Sequence, residues 1–309
     1  MIIHHKIADI TFKTDWNSWF PVIQRPIFNK FRVEEIQSDV HYRIRIVSNE
    51  SLTMDPPSKG ELENLFLLVC GSKRLDTPLL LSPQVRGRLN DCLNQSEYVD
   101  LIHGRNLMVI RNFLQKELDI FYSPEFGGYD EELQCFLPQY YVTSNFQQIF
   151  STFLPDFSAF LLHSSGVILD NRAAIFLAPD EGGKTTVLKQ LKGEPILSDD
   201  QIILRKHRNS VIAHGTPLGV ISSGPIKAKI GGFFILQKAP HFELTLLKPA
   251  DLLQYIWDEH QNYTFYLPKF LKKQAFGILC EASCKVPVYR MCFPKDYVDW
   301  DAIDRAMEK

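Results

Sequence analysis

The sequence predicts a mixed α/β (α+β) protein built as two domains, a mostly β N-terminal domain over residues 1–145 and an α/β domain over residues 146–309. Three observations predict it. The first 140 or so residues break into short alternating or apolar runs between turn signals. Beyond residue 145, strand-like runs alternate with helix-like ones. A length of 309 residues suggests two domains, or one large one, with ample material for a buried core.

In the first half, "DVHYRIRIV" places Val40, Tyr42, Ile44 and Ile46 on one face and His41, Arg43 and Arg45 on the other, the period of a half-buried strand. "ENLFLLVC", "TPLLLS" and "NLMVIRN" are further short apolar runs, and "YSPEFGGYD" reads as a loop. No chemistry is visible in this half. Asn145 then caps a predicted helix through "FQQIFSTFL". "SAFLLHSSGVIL" reads as a strand, Asp170-Asn171 as a tight hairpin turn, and "RAAIFLA" as the fully apolar returning strand. A loop, a short helix and the breaker Gly193-Glu194-Pro195 lead to the strand "ILSDDQIILRK". A turn at Arg208-Asn209-Ser210 returns the chain through "VIAHGTPLG". "GGFFILQKA" is a strand, "PADLLQYIW" a helix with proline in its first turn, "VPVYRMCFP" a strand, and "DAIDRAME" a last short helix.

Composition excludes several classes of function. With 45% hydrophobic and 23% charged residues and a net charge of −2, the chain carries no electrostatic footprint for nucleic acid. No apolar run approaches the roughly 18 residues of a membrane span, so no membrane partner is expected. The N-terminus lacks the plan of a secretory signal, and six scattered cysteines suit reduced thiols, so a cytoplasmic location is expected. Cys280 and Cys284, with Cys292 nearby, fall in the loose range of zinc spacing, but no second pair completes a tetrahedral set. They read as small buried hydrophobes, and His4 and His5 are too isolated to be ligands.

The chemistry concentrates in "AAIFLAPDEGGKTTVLKQL", residues 173–191. An apolar strand ends at a loop that closes Gly182-Gly183-Lys184-Thr185 against a helix start, as a phosphate-binding loop does. In such a loop the lysine reaches phosphate and the next hydroxyl binds Mg2+. Ala178 stands where the first glycine belongs, and Asp180 and Glu181 put two carboxylates beside the anion. The alternative is a glycine-rich turn before an ordinary helix. Asp199 and Asp200 follow Lys184 by about fifteen residues and supply the metal-binding and proton-accepting carboxylates of phosphoryl transfer. Both reach one site only if their strand bends or ends there; otherwise they form a solvated turn. His163 precedes the loop strand and is placed to contact phosphate or assist proton transfer, or else to be an ordinary core histidine. His214 reads as structural. Lys227 and Lys229 either neutralise phosphate across the site or form a charge pair on an edge strand.

These residues, "LLHSSGVILDNRAAIFLAPDEGGKTT", then "LSDDQIIL", then "HGTPLG", resemble the catalytic domain of HPr kinase/phosphorylase and its stand-alone relatives. The resemblance spans roughly residues 155–245, with an echo in "VPVYRMCFP", and implies a P-loop domain with a fold similar to phosphoenolpyruvate carboxykinase. It implies ATP and Mg2+ as cofactors, with Ala178, Gly182, Gly183, Lys184, Thr185 and Thr186 in the nucleotide loop. It implies metal contacts from Thr185 and Asp199, catalytic roles for Asp199 and Asp200, and a supporting role for His163. Relatives usually carry Gly at the position of Ala178, Ser-Gly at Asp180-Glu181, and often an acidic residue at Thr186.

The expected function is an ATP- and Mg2+-dependent kinase transferring a phosphoryl group to a hydroxyl, serine on a peptide or protein. A catalytically weak nucleotide- or peptide-binding module with a kinase fold is the alternative, and a small-molecule kinase of the free-serine type is the third. Relatives are often oligomers, which leaves a homo-oligomer open.

Overall fold

A computed structural model of the chain describes residues 2–16, 26–33, 42–48, 99–104, 107–112, 117–122, 128–130, 135–137, 153–191, 193–265 and 269–308. The runs "ENLFLLVC" and "TPLLLS", and the predicted helix cap at Asn145, lie outside them. The architecture is mixed α/β, in two compact units. One comprises Met1–Lys6, Ile10–Arg25 and Arg32–Ile149, the other Ile7–Asp9, Pro26–Phe31 and Phe150–Lys309.

In the first half the described elements are β1 (Ile2–Ile7), β2 (Ile10–Trp16), α1 (Pro26–Asn29), β3 (Tyr42–Ser48), β4 (Val99–Gly104), β5 (Leu107–Asn112), β6 (Glu117–Tyr122), β7 (Gly128–Asp130) and β8 (Cys135–Leu137). The strand read from "DVHYRIRIV" is β3, and it runs parallel to both β2 and β6 in a sheet of order β1-β2-β3-β6-β5-β4. "NLMVIRN" forms β5, antiparallel to β4 and β6. The end of "YSPEFGGYD", read as loop, contributes β7, which pairs with β8.

The second unit holds β9 (Ala159–His163), β10 (Ser165–Leu169), β11 (Arg172–Leu177), α2 (Lys184–Leu188), β12 (Ile196–Ser198), β13 (Gln201–His207), β14 (Ser210–His214), β15 (Lys227–Lys238), β16 (Glu243–Leu247), α3 (Pro249–Phe265), α4 (Lys269–Ser283), β17 (Val288–Phe293) and α5 (Trp300–Ala306). Nine strands form its large sheet, in the order β12-β10-β11-β15-β14-β13-β9, with β17 pairing β15 and β16 pairing β17.

β11 explains the middle of this sheet. Its residues alternate between two covered faces: Ala173, Ile175 and Leu177 pack with Leu252, Ile256, Ile278 and Leu279 of α3 and α4. Ala174, Phe176 and Ala178 pack with Val187, Leu188, Val298 and Ile303 of the α2 and α5 side. A strand buried on both faces reads as continuous apolar sequence, and "AAIFLA" does. The Asp170-Asn171 turn has φ of +41° and +61° and joins β10 to β11 with Leu169 opposite Arg172, the two-residue hairpin its composition predicts.

Two strands read as continuous are broken in the structure, and both breaks serve the site. "SAFLLHSSGVIL" divides at Ser164 into β9 and β10. The first pairs with β13 and the second with β11, so one residue joins strands that stand far apart in the sheet order and the sheet curls. "ILSDDQIILRK" divides at Asp199-Asp200 into β12 and β13. The apolar pattern is interrupted at each break, by His163-Ser164-Ser165 and by Ser198-Asp199-Asp200-Gln201, but pattern alone does not reveal a change of hydrogen-bonding partner. Ser164 N–H donates to the carbonyl of Asp200 at 2.9 Å, tying one break to the other.

Candidate active site

Three chain segments meet at the two breaks: the end of β9, the loop between β11 and α2, and the turn between β12 and β13. His163 is the last residue of β9 and stands opposite Gln201. Its Nε2 lies 3.0 Å from Asp200 Oδ1, 2.9 Å from Lys184 Nζ and 3.5 Å from Asp180 Oδ1. Gln201 Nε2 donates to Asp200 Oδ2 at 3.3 Å. His163, Lys184 and Asp200 thus form one cluster.

Lys184 opens α2 with its side chain turned back into the loop, where Nζ donates to the carbonyls of Ala178 at 2.8 Å and Pro179 at 3.4 Å. The residue is only 7% exposed. Burial pulls its ammonium below the ordinary lysine value, and the carboxylates of Asp200 and Asp180 offset this only in part. Burial also opposes charge on Asp200. The His163 hydrogen bond, the charges of His163 and Lys184 and the Gln201 amide outweigh it, so the carboxyl is held below its usual value.

One nitrogen of His163 faces both an ammonium and a carboxylate. With its proton on Nε2 it donates to Asp200 and presents N–H to Lys184; with its proton on Nδ1 it accepts from Lys184 and presents a lone pair to Asp200. A neutral imidazole satisfies one contact at the expense of the other. An anion that draws Lys184 Nζ away removes the conflict.

The loop is shaped by its neighbours. Ala178 is fully buried and has no positive φ, so a side chain is tolerated where a glycine was expected. Glu181 takes φ +60° and Gly183 φ +108°. A Cβ on Gly183 would lie 2.6 Å from Phe293 Cζ, so this position is restricted both by backbone and by space. Thr185 is exposed and Thr186 half-buried on α2, and Gly182 donates its N–H to the Pro179 carbonyl at 3.0 Å.

Asp199 and Asp200 part company. Asp200 faces His163. Asp199 is turned the other way: its Oδ1 accepts from Val220 N–H at 2.8 Å and Ile221 N–H at 2.9 Å. His214 and the two lysines are also elsewhere. His214 is buried, and desolvation above all lowers its pKa to about 4, with Lys227, Arg205 and His207 acting in the same direction against Asp9. Lys227 is paired with Asp9 at the start of β15, an interior strand flanked by β11 and β14. Cys280, half-buried on α4, and Cys284, exposed just beyond its end, are free thiols, and among the described residues no three His, Cys, Asp or Glu side chains gather around a common metal position.

Asp180, in sequence an obstacle to the loop, lies 3.5 Å from His163 Nε2, and Gln201, Phe293 and the segment after "HGTPLG" belong to the site although no motif marks them. Gln201, adjoining the aspartates at a strand start, offered a signal. The contacts of Phe293 and Val220 span far too many residues to be read from pattern.

No protein-family profile and no curated protein matches the chain. Among solved structures it is similar to the HPr(Ser) kinase/phosphatase from Coxiella burnetii, at 11% identity and a TM-score of 0.24, over 48% of this chain and 91% of that one. That likeness is weak, and the assignment of function rests on the geometry of the site.

Proposed function

We propose that residues 146–309 form a P-loop nucleotide-binding domain of an ATP- and Mg2+-dependent phosphotransferase whose acceptor is a hydroxyl, serine on a peptide or protein. The observation that carries the reading is the meeting of Lys184, His163 and Asp200 within 3.0 Å contacts of one imidazole nitrogen. A buried ammonium, a carboxylate held ionised and a histidine between them form a donor and base set suited to phosphoryl transfer.

The residues fit a polyphosphate carrying a divalent cation. Lys184 is a desolvated cation that follows Gly182-Gly183 at the end of the loop. Asp180 and Asp200 are anions beside it, so an uncompensated polyphosphate would be repelled. Mg2+ keeps several waters and binds through few side chains, and here the Thr185 hydroxyl and one carboxylate would hold it. Mg2+ when bound neutralises charge on the phosphate oxygens.

Lys184 leaves the Ala178 carbonyl and His163 for a phosphate oxygen. Asp200, freed of competition for His163, accepts the proton of the acceptor hydroxyl. The acceptor oxygen bonds to the terminal phosphorus as the bond from that phosphorus to the bridging oxygen breaks, and the diphosphate leaves. His163 holds Asp200 in place and shares the proton it gains. Serine as acceptor follows the sequence resemblance.

Calorimetry with ATP and Mg2+, joined to transfer assays on serine peptides, tests this. Lys184→Met is expected to weaken nucleotide binding at least about tenfold, since a charge-assisted contact is worth roughly 1.5–3 kcal/mol. Asp200→Asn is expected to leave binding within about threefold and to reduce transfer by a factor on the order of 100 or more. Transfer that survives both substitutions refutes the reading. Binding without turnover by the unaltered protein selects the binding-module alternative, which Glu181 in the left-handed region and the engaged Lys184 favour. Turnover of free hydroxy compounds but of no peptide selects a small-molecule kinase.

A further inference from the structure

We infer that Asp199 is a positioning residue, one that locks the segment Gly219–Ser223 to the turn before β13 and thereby fixes the carboxylate of Asp200. This rests on the proposed role of Asp200 and assigns Asp199 a different task from metal binding.

The segment after "HGTPLG" lies along β12 as a strap. Asp199 N–H donates to the Ile221 carbonyl at 3.2 Å, and Asp199 Oδ1 accepts from Val220 N–H and Ile221 N–H at 2.8 and 2.9 Å. Ser223 N–H donates to the Ile196 carbonyl at 2.8 Å, while Ile196 N–H donates to Ser223 Oγ at 2.9 Å. Ser222 Oγ donates to the Leu197 carbonyl at 2.8 Å, and from the outer side Lys30 Nζ donates to the Ser222 carbonyl at 2.6 Å. Every residue of β12 except Ser198 is therefore bonded to the strap, and the next residue, Asp199, is bonded to it three times.

Asp199 is one peptide unit from Asp200. The backbone of Asp200 is fixed in turn by Ser198 Oγ, which accepts its N–H at 3.3 Å, and by Ser164, which donates to its carbonyl at 2.9 Å. A carboxylate oxygen accepting two backbone N–H groups resembles the geometry of a helix cap, in which the side chain fixes a local backbone path. With Oδ1 so engaged and the residue only 9% exposed, Asp199 is held inside the turn. Gly219 is small for the same reason: a Cβ there would collide with Asp199 Oδ1.

The test compares Asp199→Asn, Asp199→Ala and Gly219→Ala in the full chain. Asparagine keeps a carbonyl oxygen for the two N–H groups but loses the charge a metal ligand needs. Alanine at 219 leaves the Asp199 carboxylate intact and pushes it off the strap. Three readouts apply: hydrogen exchange of the Val220 and Ile221 amides, the NMR chemical shifts of the His163 ring, which lies against Asp200, and kcat separately from KM for nucleotide with Mg2+. The first two require no activity, so they decide the inference even if the unaltered protein transfers no phosphate.

Asp199→Asn is expected to keep amide protection and the His163 ring shifts, and to retain kcat within about fivefold. Asp199→Ala and Gly219→Ala are expected to lose protection at both amides by about tenfold, a change of about 1.4 kcal/mol. Both are also expected to change the NMR chemical shifts of the His163 ring as Asp200 moves off, and to lower kcat with KM little changed. If Asp199→Ala fails to fold, Gly219→Ala carries the comparison. Unchanged protection in Asp199→Ala or Gly219→Ala overturns the inference. So do unchanged His163 ring shifts after the amides have opened, or loss of transfer by a factor on the order of 100 in Asp199→Asn with the strap intact, which would make Asp199 a metal ligand.

Discussion

Ala178 and Gly182 are coupled, and the coupling can be measured. A Cβ built on Gly182 would lie 2.5 Å from the Ala178 Cβ, 2.9 Å from the Pro179 carbonyl oxygen and 3.0 Å from Pro179 Cδ. Gly182 has no positive φ, so a side chain there meets crowding without backbone strain. Ala178 is fully buried among Phe176-side neighbours and cannot swing aside. Overpacking of this kind costs about 1–3 kcal/mol, and we expect Gly182→Ala to lose about 2 kcal/mol. Ala178→Gly alone deletes one buried methyl and should cost about 1 kcal/mol, from lost burial and greater chain freedom. In the exchange Ala178→Gly/Gly182→Ala the methyl–methyl collision is gone while the Pro179 contacts remain. The pair should therefore be more stable than the sum of the singles by about 1 kcal/mol. The assay is thermal unfolding of the second unit followed by Trp300, which packs edge-on against Phe176 with ring centroids 6.0 Å apart. A loss of about 2 kcal/mol corresponds to a fall of about 4–8 °C in a unit of this size. Additive singles, or a Gly182→Ala protein as stable as the parent, would show that the loop does not close against Ala178 and refute the reasoning.

Three further substitutions probe the same unit. Glu181 is exposed at φ +60°, where an L side chain costs about 1–2 kcal/mol. Glu181→Gly removes that strain, and after the greater freedom of unfolded glycine a net gain of up to about 1 kcal/mol should appear in urea unfolding. A loss of stability would contradict it. Gly183→Ala combines φ +108° with a methyl 2.6 Å from the ring of Phe293, which is 1% exposed; a loss of more than about 2 kcal/mol is expected in thermal melts, and a neutral outcome excludes the conformation. His214 has a folded pKa of about 4, below its ordinary 6.5, because burial favours the neutral ring. The unfolded chain then binds more protons between those values, so the stability due to neutral His214 is full above pH 6.5 and declines as pH falls towards 4. The whole effect is about 3 kcal/mol, and His214→Gln should flatten the acid limb of stability against pH; an unchanged limb refutes the assignment.

What could be read from the sequence follows from the range of the forces involved. The Asp170-Asn171 hairpin, the strand "AAIFLA", the Pro249 helix start and the "VPVYRMCFP" strand are each set by residues within a few positions of one another, and each is present. The mixed α/β character follows from the same local signals. The breaks at Ser164 and at Asp199-Asp200 were not legible, because they arise from which distant strand each half pairs with: β13 for β9, β11 for β10.

The candidate site divides in the same way. Lys184, His163 and Asp200 were marked by residue type and order, but their meeting depends on the two breaks, since on regular strands His163 and the aspartates would follow the pleat instead of turning to a common point. Ending the strand does not by itself bring the two aspartates to one point. Asp199 and Asp200 lie in the turn between β12 and β13 and still point apart, because Oδ1 of Asp199 is claimed by amides twenty-one and twenty-two residues away. Residue chemistry told which carboxylates were available, and only the long-range hydrogen bonds told which of them faces His163.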